Sequence, residues 1–349
     1  MQLDVVASGM VTPVGYHSAA SCAAIRVGLD NFREIPFLFD GALIRGAAVD
    51  APDDLGGISK LAWMAVEAIN QCVPSAQPEA HGDIALALCV AEASRPGRPA
   101  RLDERFFANV CSGVEQPARL GPHRRFVQTG SLGGIEALQW ADQVLSQGLA
   151  NHCIVAGVDS YLSAPTLQSY YERRRLLTEK NTDGFIPGEA GTAVLVSRAS
   201  VAPVVVQCMG VGWGVEKATQ DSDLPLRGDG LAQAYREAFK DAGCGFPTVD
   251  YRMADISGDQ YAFKEAALAV LRTLRVKKDP FYLWHPADCI GRVGAASVPL
   301  ILGIALAAAR RSYAPGPGAL CHFTEDSGTR AATILRERRT TANAFEHRG

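Results

Sequence analysis

An order of strand, glycine turn and long apolar helix occurs twice in the 349-residue chain and constrains the fold more than any other feature. In the first half, the strand-like run RRFVQT at 124–129 leads into GSLGGIEALQWADQVLSQG. In the second half, PFYLWH at 280–285 leads into PADCIGRVGAASVPLILGIALAAARR. Other short apolar runs alternate with stretches of helical period. This pattern predicts an α/β protein with largely parallel, helix-covered sheets.

Composition indicates one compact unit. A chain of this length with 48% hydrophobic residues can bury a large core. We expect two similar halves, residues 1–200 and 201–338, followed by a polar tail at 339–349. The formal net charge of −3 gives no global field toward nucleic acid or membranes, so we expect neither as a partner.

The nine cysteines include no CxxC pair, and their odd number argues against both a disulfide framework and a zinc site. The N-terminus lacks a basic region followed by a long apolar run, and no stretch reaches the ~20 uninterrupted apolar residues of a membrane span. We expect a cytoplasmic protein without a metal or cofactor.

The segment DGFIPGEAG at 183–191 resembles the β-ketoacyl synthases of the thiolase superfamily. Other landmarks of that family fall in order: VVASGMVTPVG, IVAGVDS, IGRVGAASVPL and SGTRAATIL. The resemblance covers nearly the whole chain. It implies a thiolase-like layered α-β-α-β-α fold of two similar halves. Its matched residues are Asp183, Gly184, Phe185, Gly188, Glu189, Ala190 and Gly191.

The positions that the resemblance assigns to catalysis are substituted. The family's nucleophilic cysteine at the start of the first central helix falls on Ser131. Its two histidines, or histidine and asparagine, fall on Ser257 and on Gly291 or Arg292. These substitutions imply that decarboxylative condensation is lost, because each missing donor costs about 10²–10³ in rate.

The closing loop also departs from the family pattern. A glycine-rich stretch with an aromatic gate is replaced by FTEDSGT, which carries Glu325 and Asp326 ahead of Gly328. Carboxylates at this place would oppose a developing oxyanion.

Several residues allow two interpretations. The sequence TGSLGG is close to the G-x-S-x-G elbow of serine hydrolases, for which His285 could act as base, although an inert Ser131 is favoured. Cys289 is a displaced nucleophile or, more plausibly, a core cysteine. Glu189 either pairs with Arg292 or is neutral and bound to water. The run at 173–175, RRR, binds an acidic carrier protein or a phosphate, or it is a solvated helix face, which is favoured.

Three functional hypotheses follow. The leading one is a non-condensing partner subunit or an adaptor scaffold, for example in a bacterial secretion system. The second is an acyltransferase that uses Ser131 with coenzyme A or carrier thioesters. The third is an active 3-oxoacyl-carrier-protein synthase in a different sequence register. We expect a homodimer, or a heterodimer with a ketoacyl-synthase-like or unrelated protein, with an acyl carrier protein as a further candidate partner. Dimerisation is expected through RRFVQT and the residues ahead of it.

Overall fold

The computed structural model describes residues 1–52, 55–76, 84–116, 119–198 and 200–340. Its strands are β1 (Leu3–Val11), β2 (Arg33–Phe39), β3 (Ala42–Gly46), β4 (Ile84–Cys89), β5 (Leu120–Val127), β6 (His152–Ser160), β7 (Glu189–Ser197), β8 (Val204–Val215), β9 (Tyr251–Ala254), β10 (Leu283–Trp284), β11 (Gly318–Thr324) and β12 (Thr329–Arg339). Its helices are α1 (Ser18–Arg26), α2 (Gly57–Asn70), α3 (Glu104–Gly113), α4 (Gly133–Ser146), α5 (Ala164–Glu172), α6 (Asp229–Ala242), α7 (Gln260–Thr273), α8 (Ala287–Ile290) and α9 (Ser297–Arg310).

The two halves have the same strand topology. The first half has the order β5-β4-β6-β7-β1 and the second has β10-β9-β11-β12-β8. In each set the first three strands are parallel, and the next two are antiparallel to their neighbours. Strand β1 pairs with β7 and, over residues 3–5, also with β8, so it joins the two sets. The doubled order of the sequence is therefore a doubled topology.

The helices form three layers around these two sets of strands. Helices α4 and α9 pack against each other in the centre, α4 beneath β4 and β6 and α9 beneath β1 and β8. Helix α2 covers the outer face of the first set, and α6 covers that of the second. This is the α-β-α-β-α layering predicted from the resemblance.

The centre is tightly packed because both central helices are rich in small and apolar residues. Nearly every residue of α9 is buried, as expected for a helix that is apolar on all sides. On α4, a Cβ added at Gly134 would lie 2.4 Å from Val298 Cβ, so the close approach of the helices requires glycine there. The central helices thereby hold the two halves together.

None of the helices in the described ranges is long and apolar enough to cross a membrane. All nine cysteines lie within these ranges and are free, and the same ranges contain no cluster of side chains suited to a metal. Strand β12 ends at Arg339, and residues 341–349 of the predicted tail lie outside the described part. The proposed boundary near residue 200 falls between β7 and β8.

Candidate functional site

Ser131 lies where the sequence predicts it, in a turn between a strand and a central helix. Strand β5 ends at Val127, the 3₁₀ turn Gly130–Leu132 follows, and α4 begins at Gly133. Ser131 is buried, and its backbone N–H donates to Glu325 Oε2 at 2.9 Å. Within the described residues, its hydroxyl makes no hydrogen bond.

Two carboxylates meet at this turn. A Cβ added at Gly130 would lie 2.4 Å from Glu92 Oε2 and 2.8 Å from Glu325 Oε2. Burial, reinforced by the nearby charge of Glu92, raises the pKa of Glu325 to about 8. Glu325 is therefore largely protonated at neutral pH, which lowers the cost of placing two acids side by side.

Glu92 belongs to a buried ion-pair cluster centred on Arg95. The Arg95 guanidinium donates to both oxygens of Glu92, at 3.0 and 2.6 Å, and to Asp159 Oδ1 at 2.7 Å. It also lies 4.2 Å from the centre of the Tyr161 ring. Burial raises the pKa of Asp159 against the opposing effect of Arg95. A buried guanidinium with two acid partners fixes the loop after β4 to the end of β6.

A second ion-pair cluster is formed around Asp326. Arg292 donates to its Oδ1 at 2.9 Å, Tyr170 donates to its Oδ2 at 2.8 Å, and Arg175 lies 3.4 Å from Oδ1. Burial alone would raise the pKa of Asp326, but Arg292 and Arg175 outweigh that effect and hold it below its ordinary value. Asp326 is thus ionised and fully partnered.

The two central helices are capped reciprocally. The turn before α4 donates the Ser131 N–H to Glu325, which follows β11. The turn before α9, Gly294–Ala296, donates the Ala295 N–H to Asp159 Oδ2 at 2.9 Å, and Asp159 lies at the end of β6. Because β6 and β11 occupy equivalent places in the two halves, each half supplies an acid to the central helix of the other. Acids are stabilising at helix N-termini, where N–H groups have no intrahelical partner.

The structure brings together the positions that the resemblance assigns to catalysis. Ser257, Arg292, Glu325 and Asp326 line one cavity of about 30 Å³, and Gly291 lines a smaller neighbouring one. Such a space holds about one water molecule. Asp255 lines both cavities, and burial raises its pKa to about 7.

The DGFIPGEAG segment acts mainly through its backbone. A Cβ at Gly188 would lie 2.1 Å from the Ile290 carbonyl oxygen, so this glycine allows the segment to pack against the residues before α9. Asp183 Oδ1 accepts the Gln260 N–H at the start of α7.

Gly328 lies in the turn between β11 and β12 and has a φ of +95°. A Cβ there would lie 2.4 Å from the Glu216 carbonyl oxygen.

The hypothesis that Glu189 pairs with Arg292 is wrong. Glu189 forms an ion pair with Lys60 and accepts hydrogen bonds from Ser160 Oγ and the Val49 N–H. Arg292 is paired with Asp326 instead. The neutral, water-bound interpretation of Glu189 fails for the same reason, because its carboxylate has protein partners on both oxygens.

The solvated-face interpretation of the arginine run holds for two of its members only. Arg173 and Arg174 are exposed, whereas Arg175 is buried and turns toward Asp326. The run directly follows α5, which ends at Glu172. The backbone changes direction at Arg174, which has a φ of +53°, and this separates the environments of the three arginines.

His285 is not brought to Ser131. Its Nδ1 lies 2.9 Å from Asp288 Oδ2, and its ring packs edge-on to Phe263 at 5.2 Å. Cys289 is buried, and burial together with the charge of Asp288 raises its pKa to about 11. A buried thiol with a raised pKa stays protonated, which argues against Cys289 as a displaced nucleophile.

Sequence reasoning missed Glu92, Arg95 and Lys60, and it did not single out Asp159. Strand β4 ends at Cys89, and the residues that follow it include Glu92 and Arg95. A usable signal existed: these residues and Asp159 lie at the carboxyl ends of β4 and β6, which are parallel neighbours. Polar residues at such ends meet at one edge of the sheet.

Comparison with known proteins agrees with this architecture. No family model matches the chain. A putative polyketide beta-ketoacyl synthase 2 of Streptomyces cyaneus is 24% identical over 301 residues, covering 79% of this chain and 70% of that protein. A ketosynthase in complex with its chain length factor from Xenorhabdus doucetiae has a TM-score of 0.72 at 14% identity, covering 96% and 97% of the two chains.

Two further solved structures are similar over nearly their full length. A beta-ketoacyl synthase from Burkholderia phymatum has a TM-score of 0.75 at 15% identity, covering 97% of this chain and all of that one. A type II polyketide acyl-carrier protein in complex with its hexaketide-bound ketosynthase gives 0.77 at 17% identity, with 96% and 99% coverage. The fold is therefore the thiolase-like fold of the ketosynthases.

Proposed function

We propose that this β-ketoacyl-synthase-like chain is a non-condensing partner subunit, in which a buried ion-pair network occupies the place of the condensing site. The observation that carries the proposal is the hydrogen bond from the Ser131 N–H to Glu325. The resemblance puts the nucleophile at Ser131, and the protein's own carboxyl group takes the N–H that a thioester oxygen would need.

The electrostatics of the site oppose acyl transfer. A tetrahedral intermediate develops negative charge on oxygen, which preorganised donors must stabilise. Here Glu92, Asp159 and Asp326 already use the donors of Arg95 and Arg292. An incoming oxyanion would have to displace one of these buried carboxylates, leaving it unpaired at high cost.

The available space supports the same conclusion. Pockets that bind organic ligands have volumes of about 300–1,000 Å³. The cavity lined by Ser257, Arg292 and Glu325 measures about 30 Å³. An acyl chain could enter only if the turn between β11 and β12 moved and broke the contacts of Asp326.

The proposal predicts no carbon dioxide release from malonyl-coenzyme A or malonyl-carrier thioesters. A ketosynthase with an intact cysteine is the positive control. Decarboxylation above the buffer rate that co-purifies with the folded chain would contradict the proposal and favour an active synthase.

The acyltransferase hypothesis has one observation in its favour, the carboxyl group of Glu325 beside Ser131. With its pKa raised to about 8, this group is a poor base at neutral pH, and it contacts the backbone N–H rather than the hydroxyl. Intact-mass analysis with acyl thioesters separates the two hypotheses. We expect no adduct. An acyl adduct that disappears in Ser131→Ala would establish the acyltransferase.

The partner surface proposed for this subunit is the edge formed by β5. This strand is the last in the strand order, and Arg124 and Arg125 on it are exposed. An unprotected edge strand is a template for pairing with another chain. Two of the similar solved structures are a ketosynthase with its chain length factor and a ketosynthase with an acyl-carrier protein. We propose a ketosynthase-like chain, its own copy or a different one, as the partner at β5.

A further inference from the structure

A second pocket lies apart from the ion-pair network, beneath the edge strand β10. It measures about 470 Å³, within the range of pockets that bind small organic molecules. Helix α1, helix α9 and the strands β9 and β10 contribute its walls. Neither Ser131 nor any acid of the two ion-pair clusters lines it.

The walls of this pocket are apolar and aromatic. Trp284 and Tyr313 stand 6.1 Å apart, with their rings inclined by 29°, and Ile25, Leu283 and Ile304 complete the surface. Cys22 and Cys289 also line it. Burial raises the pKa of both thiols to about 11, so they are neutral and add apolar surface. Stacked aromatic walls favour a flat ring as ligand.

A small number of polar groups stand at the same pocket. The Arg26 guanidinium lies 4.3 Å from the centre of the Tyr313 ring and, within the described ranges, forms no ion pair. His285 Nδ1 is buried and lies 2.9 Å from Asp288 Oδ2 without the geometry of a hydrogen bond, and neither ring nitrogen has a hydrogen-bond partner among the described residues. A neutral imidazole has one donor and one acceptor nitrogen. The carboxylate oxygen close to Nδ1 favours the proton on that atom by charge, which leaves Nε2 as the acceptor.

We propose that this pocket binds an aromatic molecule carrying an acidic hydroxyl group, such as a phenol. The hydroxyl donates its proton to His285 Nε2, and its oxygen accepts from Arg26. The ring occupies the space beside Trp284 and Tyr313. This inference does not depend on the proposed non-condensing role, because it uses a different set of residues.

A matched pair of probes tests the proposal. The two are 2-naphthol and 2-methoxynaphthalene, which have the same ring system but differ in the hydroxyl proton. Isothermal titration calorimetry on the full chain should show 2-naphthol binding at least tenfold more tightly. In His285→Ala this preference should fall to below about twofold, whereas His123→Ala should preserve it. Ile304→Phe, which fills the pocket, should remove binding of both probes.

Folding of each variant is checked by near-UV circular dichroism, and Leu283→Trp replaces Ile304→Phe if the latter does not fold. The proposal is overturned if neither probe binds at millimolar concentration. It is also overturned if both bind equally, or if the preference for 2-naphthol survives in His285→Ala. Because none of these variants touches the cluster at Ser131, failure here leaves the non-condensing proposal standing.

Discussion

At the scale of single residues, a set of buried charged and acidic side chains lies around Ser131 and Arg292. Glu325 caps Ser131, Arg95 joins Glu92 to Asp159, and Arg292 holds Asp326. Such groups are costly to bury unless each has a partner. Substitutions and pH changes that alter a charge in this network should therefore change the free energy of unfolding.

Glu325 should make stability depend on pH. Its ordinary pKa is 4.5 and burial raises it to about 8. Between these values the folded state holds a proton that the unfolded chain has released, so stability falls as pH rises through this window. From pH 5 to pH 8 we expect a loss on the order of 3 kcal/mol. Urea unfolding at several pH values measures it.

The matched variant for this test is Glu325→Gln, which can still accept the Ser131 N–H without ionising. It should remove up to about half of the slope. The rest is due to Asp255, whose pKa burial raises to about 7, and to Asp159 and Glu265, whose pKa values burial also raises. The exposed Glu237→Gln serves as control for the loss of one carboxylate. An unchanged slope in Glu325→Gln would mean that this carboxyl group is not buried as described.

Arg292→Met should destabilise the protein strongly, because it leaves Asp326 beside only Tyr170 and Arg175. Breaking a buried ion pair by removing one partner costs about 3–5 kcal/mol. The double variant Arg292→Met with Asp326→Asn should lose less than the sum of the single variants, since it leaves no unpaired charge. Strict additivity in denaturant unfolding would rule out direct coupling of the two side chains.

At the scale of elements, the segment between α8 and α9 explains why a histidine is absent from the second predicted catalytic position. Gly291 has a φ of +70° with an extended ψ of −172°, a combination that is essentially restricted to glycine. A Cβ there would lie 2.7 Å from the Ile186 carbonyl oxygen. The backbone path that brings Arg292 to Asp326 therefore excludes a side chain at residue 291.

Gly291→Ala should consequently cost about 3 kcal/mol or more, combining backbone strain with the clash. Gly148→Ala is the matched control: Gly148 has a φ of +68°, but an added Cβ would meet nothing within 4 Å. That variant should cost only about 1 kcal/mol. Equal losses in thermal or urea unfolding would show that the contact with Ile186 is unimportant.

At the scale of the whole molecule, the two halves share one topology, and each half supplies an acidic side chain that accepts an N–H at the start of the other half's central helix. This arrangement couples the halves, so we expect them to unfold together. The proposed boundary near residue 200 divides the repeat and does not imply two independently folding parts.

The β5 edge predicts an assembly. Sedimentation at micromolar concentration should show a dimer of this chain, or a heterodimer once a ketosynthase-like partner is added. Arg125→Glu should weaken that association about tenfold, because a partner at β5 would bury the reversed charge. The exposed Arg45→Glu on β3 should have little effect. A chain that stays monomeric with and without a partner would contradict the prediction.

Much of this architecture could be read from the sequence. Hydrophobic periodicity and the placement of glycine turns are local properties, and they gave the alternation of strands and helices, the doubled order and Ser131 at the start of α4. The resemblance also implied that Ser131, Ser257, Arg292, Glu325 and Asp326 lie at one site. In the structure the last four line one cavity, and Glu325 accepts the Ser131 N–H.

The sequence by itself determined the elements and their repeat. Only the tertiary structure decided which charges meet. Ser131 and Glu325 are 194 positions apart, and Lys60 and Glu189 are 129 apart. Such pairs depend on the order of strands and on burial, since many arginines and acids of the chain are equivalent candidates until the fold removes some from water. That is the physical reason why Arg175 and Arg95 belong to the site while Arg173 and Arg174 face solvent.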